Sequence, residues 1–137
     1  MKSVFVDSSG FFALLVQEDQ FHEHAHALFQ QANTERWRLV TTNVVVIEAY
    51  ALFLIRSHRR RRDAIKFLDM IAADKYRIER IRKADEDRAI ALVHAHEDKA
   101  YSLCDALSFI VMERLQIREA IAFDRHFRSY GRFTILS

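Results

Sequence analysis

Four carboxylates stand alone in apolar sequence, and no other feature constrains the fold of this chain as strongly. Between Ser3 and Gln17 the only charged residue is Asp7; from Leu39 to Ile55 it is Glu48; from Ala100 to Met112 it is Asp105. Asp124 directly follows the apolar run Ala120-Ile121-Ala122-Phe123. A lone carboxylate taken out of water costs several kcal/mol unless it is paired, hydrogen-bonded or bound to a metal. A workable fold must therefore bury these four segments and still give their acids a common purpose.

The segments alternate between two periodicities. Val4-Phe5-Val6 is a short, wholly apolar strand, of the kind covered on both faces of a sheet. It ends at Asp7-Ser8-Ser9-Gly10, which opens a helix over Phe11 to Val16. A second helix is predicted from His22 to Asn33, with Ala25, Leu28, Phe29 and Ala32 at helical spacing. Arg38 to Thr41 reads as a strand, and Thr42 or Asn43 then caps an apolar helix over Val44 to Ile55. The next helix spans Arg60 to Ala73, with Ile65, Leu68 and Ile71 expected on its inner face. Tyr76 to Arg80 is a strand and Asp85 to Glu97 a helix. Ser102 caps a helix running through Leu115, and Glu119 to Phe123 and Phe133 to Leu136 close the chain as strands. Strands alternating with helices predict right-handed crossovers and a mainly parallel sheet in one α/β domain over residues 1–137. Ligands gather at the carboxyl ends of such strands, where Asp7 and Asp124 both fall.

Composition removes several rival chemistries. With only Gly10 and Gly131, widely separated, neither a P-loop nor a dinucleotide fingerprint can be written. One cysteine, Cys104, excludes disulfides within the chain and any multi-cysteine zinc site, which suits a reducing, cytoplasmic setting. No uncharged apolar run approaches the roughly 18 residues of a membrane span, so no membrane association is expected. The opening MKSVFVDSS enters its strand without the apolar core of a secretory signal. The net charge of +2 decides little, but Arg56, His58, Arg59, Arg60, Arg61 and Arg62 form a dense cationic run. Arg59 to Arg62 are candidate phosphate contacts, weighed against a solvated turn.

Each isolated acid has a plainer account as well. Asp7 suits a helix N-cap, Asp105 the third position of a capping box begun by Ser102, and Asp124 a turn before His126. Glu48 is the hardest to account for in this way, lying inside Val-Val-Val-Ile-Glu-Ala-Tyr-Ala-Leu with no neighbouring cation. A cluster of carboxylates is what Mg²⁺ or Mn²⁺ prefers, and a bound divalent ion removes the repulsion among them. The other fifteen of the 19 acidic residues read as ordinary companions of Lys and Arg on polar faces and turns.

Four segments in series, VFVDSSGFFALL, TTNVVVIEAYALF, DKAYSLCDALSFIVM and AIAFDRHF, resemble the PIN-domain family, in particular its VapC-like toxin ribonucleases. The resemblance runs from near Met1 to the end of the chain. It implies a three-layer α/β/α sandwich with Asp7, Glu48, Asp105 and Asp124 as metal-binding catalytic acids. Ser8, Ser102 and Asp98 would support them. It also implies Mg²⁺- or Mn²⁺-dependent cleavage of RNA, a homodimer, and a small antitoxin partner. One departure is Ala122, where family members often carry Thr or Ser two residues before the last acid. The implied chemistry is metal-assisted phosphodiester hydrolysis. The rival from another class is a non-catalytic RNA-binding or scaffold module of the same shape, which would bind RNA without binding metal.

Other motifs are weaker. His22-Glu23-His24-Ala25-His26 matches the zinc-protease pattern His-Glu-x-x-His, but the predicted helix turns Ala25, Leu28 and Phe29 inward and leaves those polar residues outside. A haloacid-dehalogenase phosphatase would carry a second Asp two residues after the first, where this chain has Ser9. Cys104 has no base at readable spacing and reads as a small core residue. Phe5, Phe11, Phe12, Phe53, Phe67 and Phe109 read as core rather than as stacking platforms.

Overall fold

The first apolar run forms strand β1 (Ser3–Val6), and Val4, Phe5 and Val6 are completely buried, as a strand covered on both faces requires. The structure is a computed structural model that describes residues 1–73 and 75–137. The chain continues as α1 (Ser8–Leu15), α2 (His22–Thr34), β2 (Arg38–Thr42), α3 (Asn43–Arg56), α4 (Arg60–Ala72) and β3 (Tyr76–Glu79). It ends with α5 (Lys83–Ala95), α6 (Leu103–Arg114), β4 (Glu119–Ile121), α7 (Arg125–Tyr130) and β5 (Thr134–Leu136). The five strands form one sheet in the order β3-β2-β1-β4-β5, and every neighbouring pair is parallel. The mainly parallel α/β sheet expected from the sequence is thus parallel throughout.

That order places the functional crevice. The chain winds outward from β1 through β2 to β3, then returns to add β4 and β5 on the other side. The winding reverses between β1 and β4, and in open α/β sheets the crevice at such a reversal is where ligands bind. Asp7 directly follows β1, and its backbone N–H donates to the Ile121 carbonyl at the end of β4 (3.1 Å). Gly10 makes the close approach possible. A Cβ there would lie 3.0 Å from the Ile121 carbonyl oxygen and 3.1 Å from the Ile121 side chain, so α1 sits against the end of β4 only because this residue has none.

Aromatic packing fixes the helices around this sheet. Phe67 of α4 meets Phe11 of α1 at 5.1 Å and Phe53 of α3 at 5.3 Å between ring centroids, and all three are fully buried. This corrects the expected inner face of α4. Ile65 and Leu68 are 44% and 40% exposed, while Asp63, Ala64, Phe67 and Ile71 are buried. Burying the Phe67 ring removes more apolar surface than burying Ile65 or Leu68, and the bond from the Ser57 hydroxyl to Asp63 pins the first turn in that rotation. A second cluster, Ala89, Ala106, Leu107 and Ile110, joins α5 to α6.

Helix α7 was not expected. Six residues are too few to show a helical period, and its end is marked only by Gly131, which adopts the left-handed conformation (φ 75°). Its consequence for the crevice is large, because it carries His126. Among the described residues, no helix is long and apolar enough to cross a membrane.

Candidate active site

The local rules that explain three of the acids singly also bring them close to one place. Asp7 is the N-cap of α1: its carboxylate accepts from the Ser9 N–H (3.2 Å) and the Ser9 hydroxyl (2.7 Å). Asp105 closes a capping box at the start of α6, accepting from the Ser102 N–H at 3.0 Å while Ser102 Oγ accepts from the Asp105 N–H at 3.0 Å. Asp124 is the N-cap of α7, accepting from the His126 N–H at 2.8 Å. The capping roles read from sequence are real and do not compete with a shared site, because the capped Asp105 and Asp124 still line one cavity and Asp7 lies close behind it. Glu48, mid-helix in α3, is held at Oε1 by the Ser8 hydroxyl at 2.6 Å.

Glu48, Asp105 and Asp124 line one cavity of about 620 Å³, together with Ser8 and Ser102. Asp7, only 2% exposed, lies outside the lining but close enough for Glu48 and Asp105 to act on it. Burial first, and then the charges of Glu48 and Asp105, raise its carboxyl from 3.8 to about 7, against the lowering effect of the two Ser9 bonds. Asp98 is exposed beyond the end of α5 and lines no part of the cavity. Arg59 to Arg62 also lie outside the wall, Arg59 pairing with Glu18 at 3.3 Å; the cation of that run that does line the cavity is Arg56.

Sequence reasoning missed three participants. His126 stands between two of the acids, with Nδ1 2.9 Å from Asp105 Oδ2 and 3.4 Å from Asp124 Oδ1. Both facing atoms are carboxylate oxygens, so Nδ1 carries a proton and donates to Asp105; Nε2 is buried without a partner. Ser9 is the second: its hydroxyl donates to Asp7 and accepts from the Phe123 N–H at 2.9 Å, tying the β1 end to the β4 end. The third is Cys104. It is buried as expected, but beside the acids, and burial followed by the Glu48 and Asp7 charges pushes its thiol above the ordinary value. It stays a neutral thiol. The only early hint of His126 was its place two residues after Asp124.

The donor set suits a hard divalent cation. Among the described residues, none of the four acids pairs with Lys or Arg, so their negative charge is uncompensated by protein cations. One oxygen each from Asp105 and Asp124 and one His126 nitrogen lie within 4.8 Å of one another. The His22–His26 pair offers nothing comparable: His22 Nδ1 donates to the Ala13 carbonyl at 2.8 Å, and Glu23 is exposed.

Comparison with known proteins gives a consistent outcome. The family model described as "PIN domain" matches residues 4–132. The chain is 30% identical over 128 residues to the "23S rRNA-specific endonuclease VapC20" of Mycobacterium tuberculosis, covering 93% of this chain and 94% of that protein. The crystal structure of that organism's VapC20, described as a "Sarcin-Ricin loop cleaving toxin", superposes with a TM-score of 0.85 at 29% identity, covering 94% of this chain and 95% of that one. VapBC2 from Rickettsia felis, solved bound to a DNA fragment from its promoter, matches with a TM-score of 0.70 at 7% identity over 97% of this chain and 96% of that one, a likeness of fold alone.

Proposed function

This chain belongs to the PIN-domain family, and on that premise we propose that it is a metal-dependent endoribonuclease toxin of the VapC-like group, hydrolysing RNA phosphodiester bonds. One observation carries the reading: carboxylates from four separate segments come close together at the β1/β4 reversal, and among the described residues none of them pairs with Lys or Arg. The relative at 30% identity, a 23S rRNA-specific endonuclease, supports RNA as the substrate class.

Asp7, Glu48, Asp105 and Asp124 would hold Mg²⁺ or Mn²⁺, with His126 beside Asp105 and Asp124. When bound, such an ion polarises the scissile phosphate and stabilises the charge that develops on its oxygens. The remaining work belongs to the chain. Glu48, fixed by Ser8, is placed to accept the proton of the attacking water at a carboxylate oxygen. Ser9 and Ser102 hold the Asp7 and Asp105 carboxylates in orientation, and His126 keeps Asp105 and Asp124 from turning away from each other. Ser8 and Ser102 thus act as supports; exposed Asp98 has no such part. A homodimer, a small cognate antitoxin, a cytoplasmic location and a single domain over residues 1–137 complete the proposal.

The test is RNA cleavage by the purified chain. EDTA is expected to abolish it and Mg²⁺ or Mn²⁺ to restore it, with Asp7→Asn at least about a hundredfold slower, since an ion of this kind supplies several kcal/mol of transition-state stabilisation. Full activity in EDTA, or in a folded Asp7→Asn variant, would overturn the reading.

A further inference from the structure

We propose that Phe21 and Phe123 form a shelf on which one unpaired base of the substrate RNA stacks, while the adjoining phosphate reaches the carboxylates of the same cavity. The inference rests on the endoribonuclease reading and gives that site a subsite for the base.

The cavity wall mixes two characters. Glu48, Asp105, Asp124 and His126 supply acidic and polar surface, whereas Phe12, Phe21, Leu52, Ile55 and Phe123 supply apolar surface. A phosphate and a hydrated cation need no apolar wall, and water gains nothing against one. A nucleotide has both characters, a planar ring with little charge joined to an anionic phosphodiester. Arg56 in the same lining adds a cation for that backbone.

The two rings differ from the six phenylalanines of the core. Phe5, Phe11, Phe53, Phe67, Phe109 and Phe127 are wholly buried and hold the core together. Phe21 and Phe123 are only half-buried, yet they stack on each other with centroids 5.0 Å apart and planes 18° from parallel. Their backbones are held too. The Phe21 N–H donates to Asp19 Oδ2 at 2.9 Å, and the Phe123 N–H donates to Ser9 Oγ, the hydroxyl that also binds Asp7. Because Phe123 directly precedes Asp124, the shelf and an acidic residue share one backbone. Bound bases are thereby set in register with the reacting phosphate. Aromatic stacking of this kind accepts any base, and it requires one that is free of a duplex.

The probe is a short single-stranded 2′-O-methyl RNA carrying 2-aminopurine, whose fluorescence is quenched when the base stacks. The full chain in Mg²⁺ is expected to quench it. Phe21→Leu and Phe123→Leu are expected to lose most of the quenching and to bind about tenfold more weakly, whereas Phe21→Tyr keeps both. Thermal melting of each variant, with and without Mg²⁺, separates loss of the shelf from loss of the fold or of the acidic centre. Leucine variants that are folded and bind and quench like wild type would overturn the shelf and leave the apolar wall to a protein partner. If the wild type cleaves RNA but quenches no labelled position, the shelf alone falls. If it neither binds the oligonucleotide nor cleaves RNA, the ribonuclease reading falls with it.

Discussion

Two groups of carboxylates lie near strand ends in this sheet, and they are neutralised in opposite ways. Glu79, the last residue of β3, and Asp85, in the first turn of α5, share the guanidinium of Arg114 from α6. Arg114 donates to Glu79 Oε2 at 2.8 Å and, through Nε and Nη2, to both oxygens of Asp85 at 2.9 Å. Burial works to raise the Asp85 carboxyl, but the Arg114 bonds and the Arg82 N–H outweigh it, and Asp85 lies below its ordinary value. The Arg114 hydrogen bond likewise holds Glu79 low. Asp7 accepts two bonds from Ser9 and, among the described residues, pairs with no cation, and it stands at about 7. One group completes its own charge and is structural. The other is built with its counter-charge missing, which is the arrangement a site needs if a divalent ion is to bind there.

Removing the internal cation should hurt the first group most. Arg114→Leu leaves buried Asp85 without its partner, and breaking a buried pair in this way costs about 3–5 kcal/mol. Urea unfolding measures it. A loss below about 1 kcal/mol would mean that the Glu79–Asp85–Arg114 group is no more than a surface ion pair.

Removing an acid from the second group should do the reverse. The Asp7 carboxyl binds its proton more tightly in the folded chain than in the unfolded one, because its value rises from 3.8 to about 7. Its contribution therefore favours folding below about pH 4 and is lost as pH rises through about 7. At pH 8 the metal-free chain holds a buried charge that Asp7→Asn removes while still accepting from Ser9. That variant should be more stable there by up to about 4 kcal/mol and equal to wild type at pH 4, as thermal melting against pH would show. It should also lose any stabilisation that Mg²⁺ gives the wild type. A variant less stable than wild type at pH 8 without metal would place an unrecognised cation beside Asp7.

This contrast also explains what could be read from the chain. A carboxylate in an apolar run is visible without a fold, so Asp7, Glu48, Asp105 and Asp124 declared themselves, and the alternation of periods declared the parallel sheet. Asp85 and Asp63 did not, and they correct the view that the other fifteen acids are surface companions. Asp85 is buried and meets Arg114, a partner 29 residues away that only the packing of α5 on α6 provides. Asp63 is buried and accepts from the Ser57 hydroxyl, and among the described residues it pairs with no Lys or Arg. His126 was hidden for a related reason. Its contact with Asp105 depends on α7, which is too short to leave a periodic trace, and Asp-Arg-His reads as an ordinary polar turn.

His126 is the donor that stands between two of the acids, and its removal sharpens the contrast at smaller scale. His126→Phe keeps a ring in the place now edge-packed on Tyr101 (centroids 5.8 Å apart) but removes the donor between Asp105 and Asp124. Side chains that orient ligands in this way are worth about 10–100-fold in metal affinity. Calorimetric titration with Mn²⁺ should show a loss of that size, and His126→Asn should recover part of it. Equal affinity in all three proteins would mean that the helix caps alone fix the two carboxylates.

The smallest change tests whether the acidic group tolerates losing a neutral donor as readily as the other group fails to tolerate losing a charged one. Ser8→Ala deletes the 2.6 Å bond to Glu48 Oε1, and a single neutral-donor bond contributes about 1 kcal/mol. Glu48 is only half-buried and faces the cavity, so water can replace the hydroxyl. Stability should therefore fall by no more than about 1 kcal/mol, against about 3–5 kcal/mol for Arg114→Leu. The effect should appear instead in cleavage, because a Glu48 free to turn accepts a proton less well from the attacking water than one held in place. A Ser8→Ala chain that melts as wild type and cleaves more slowly would separate positioning from folding. Equal cleavage would show that α3 alone aims Glu48.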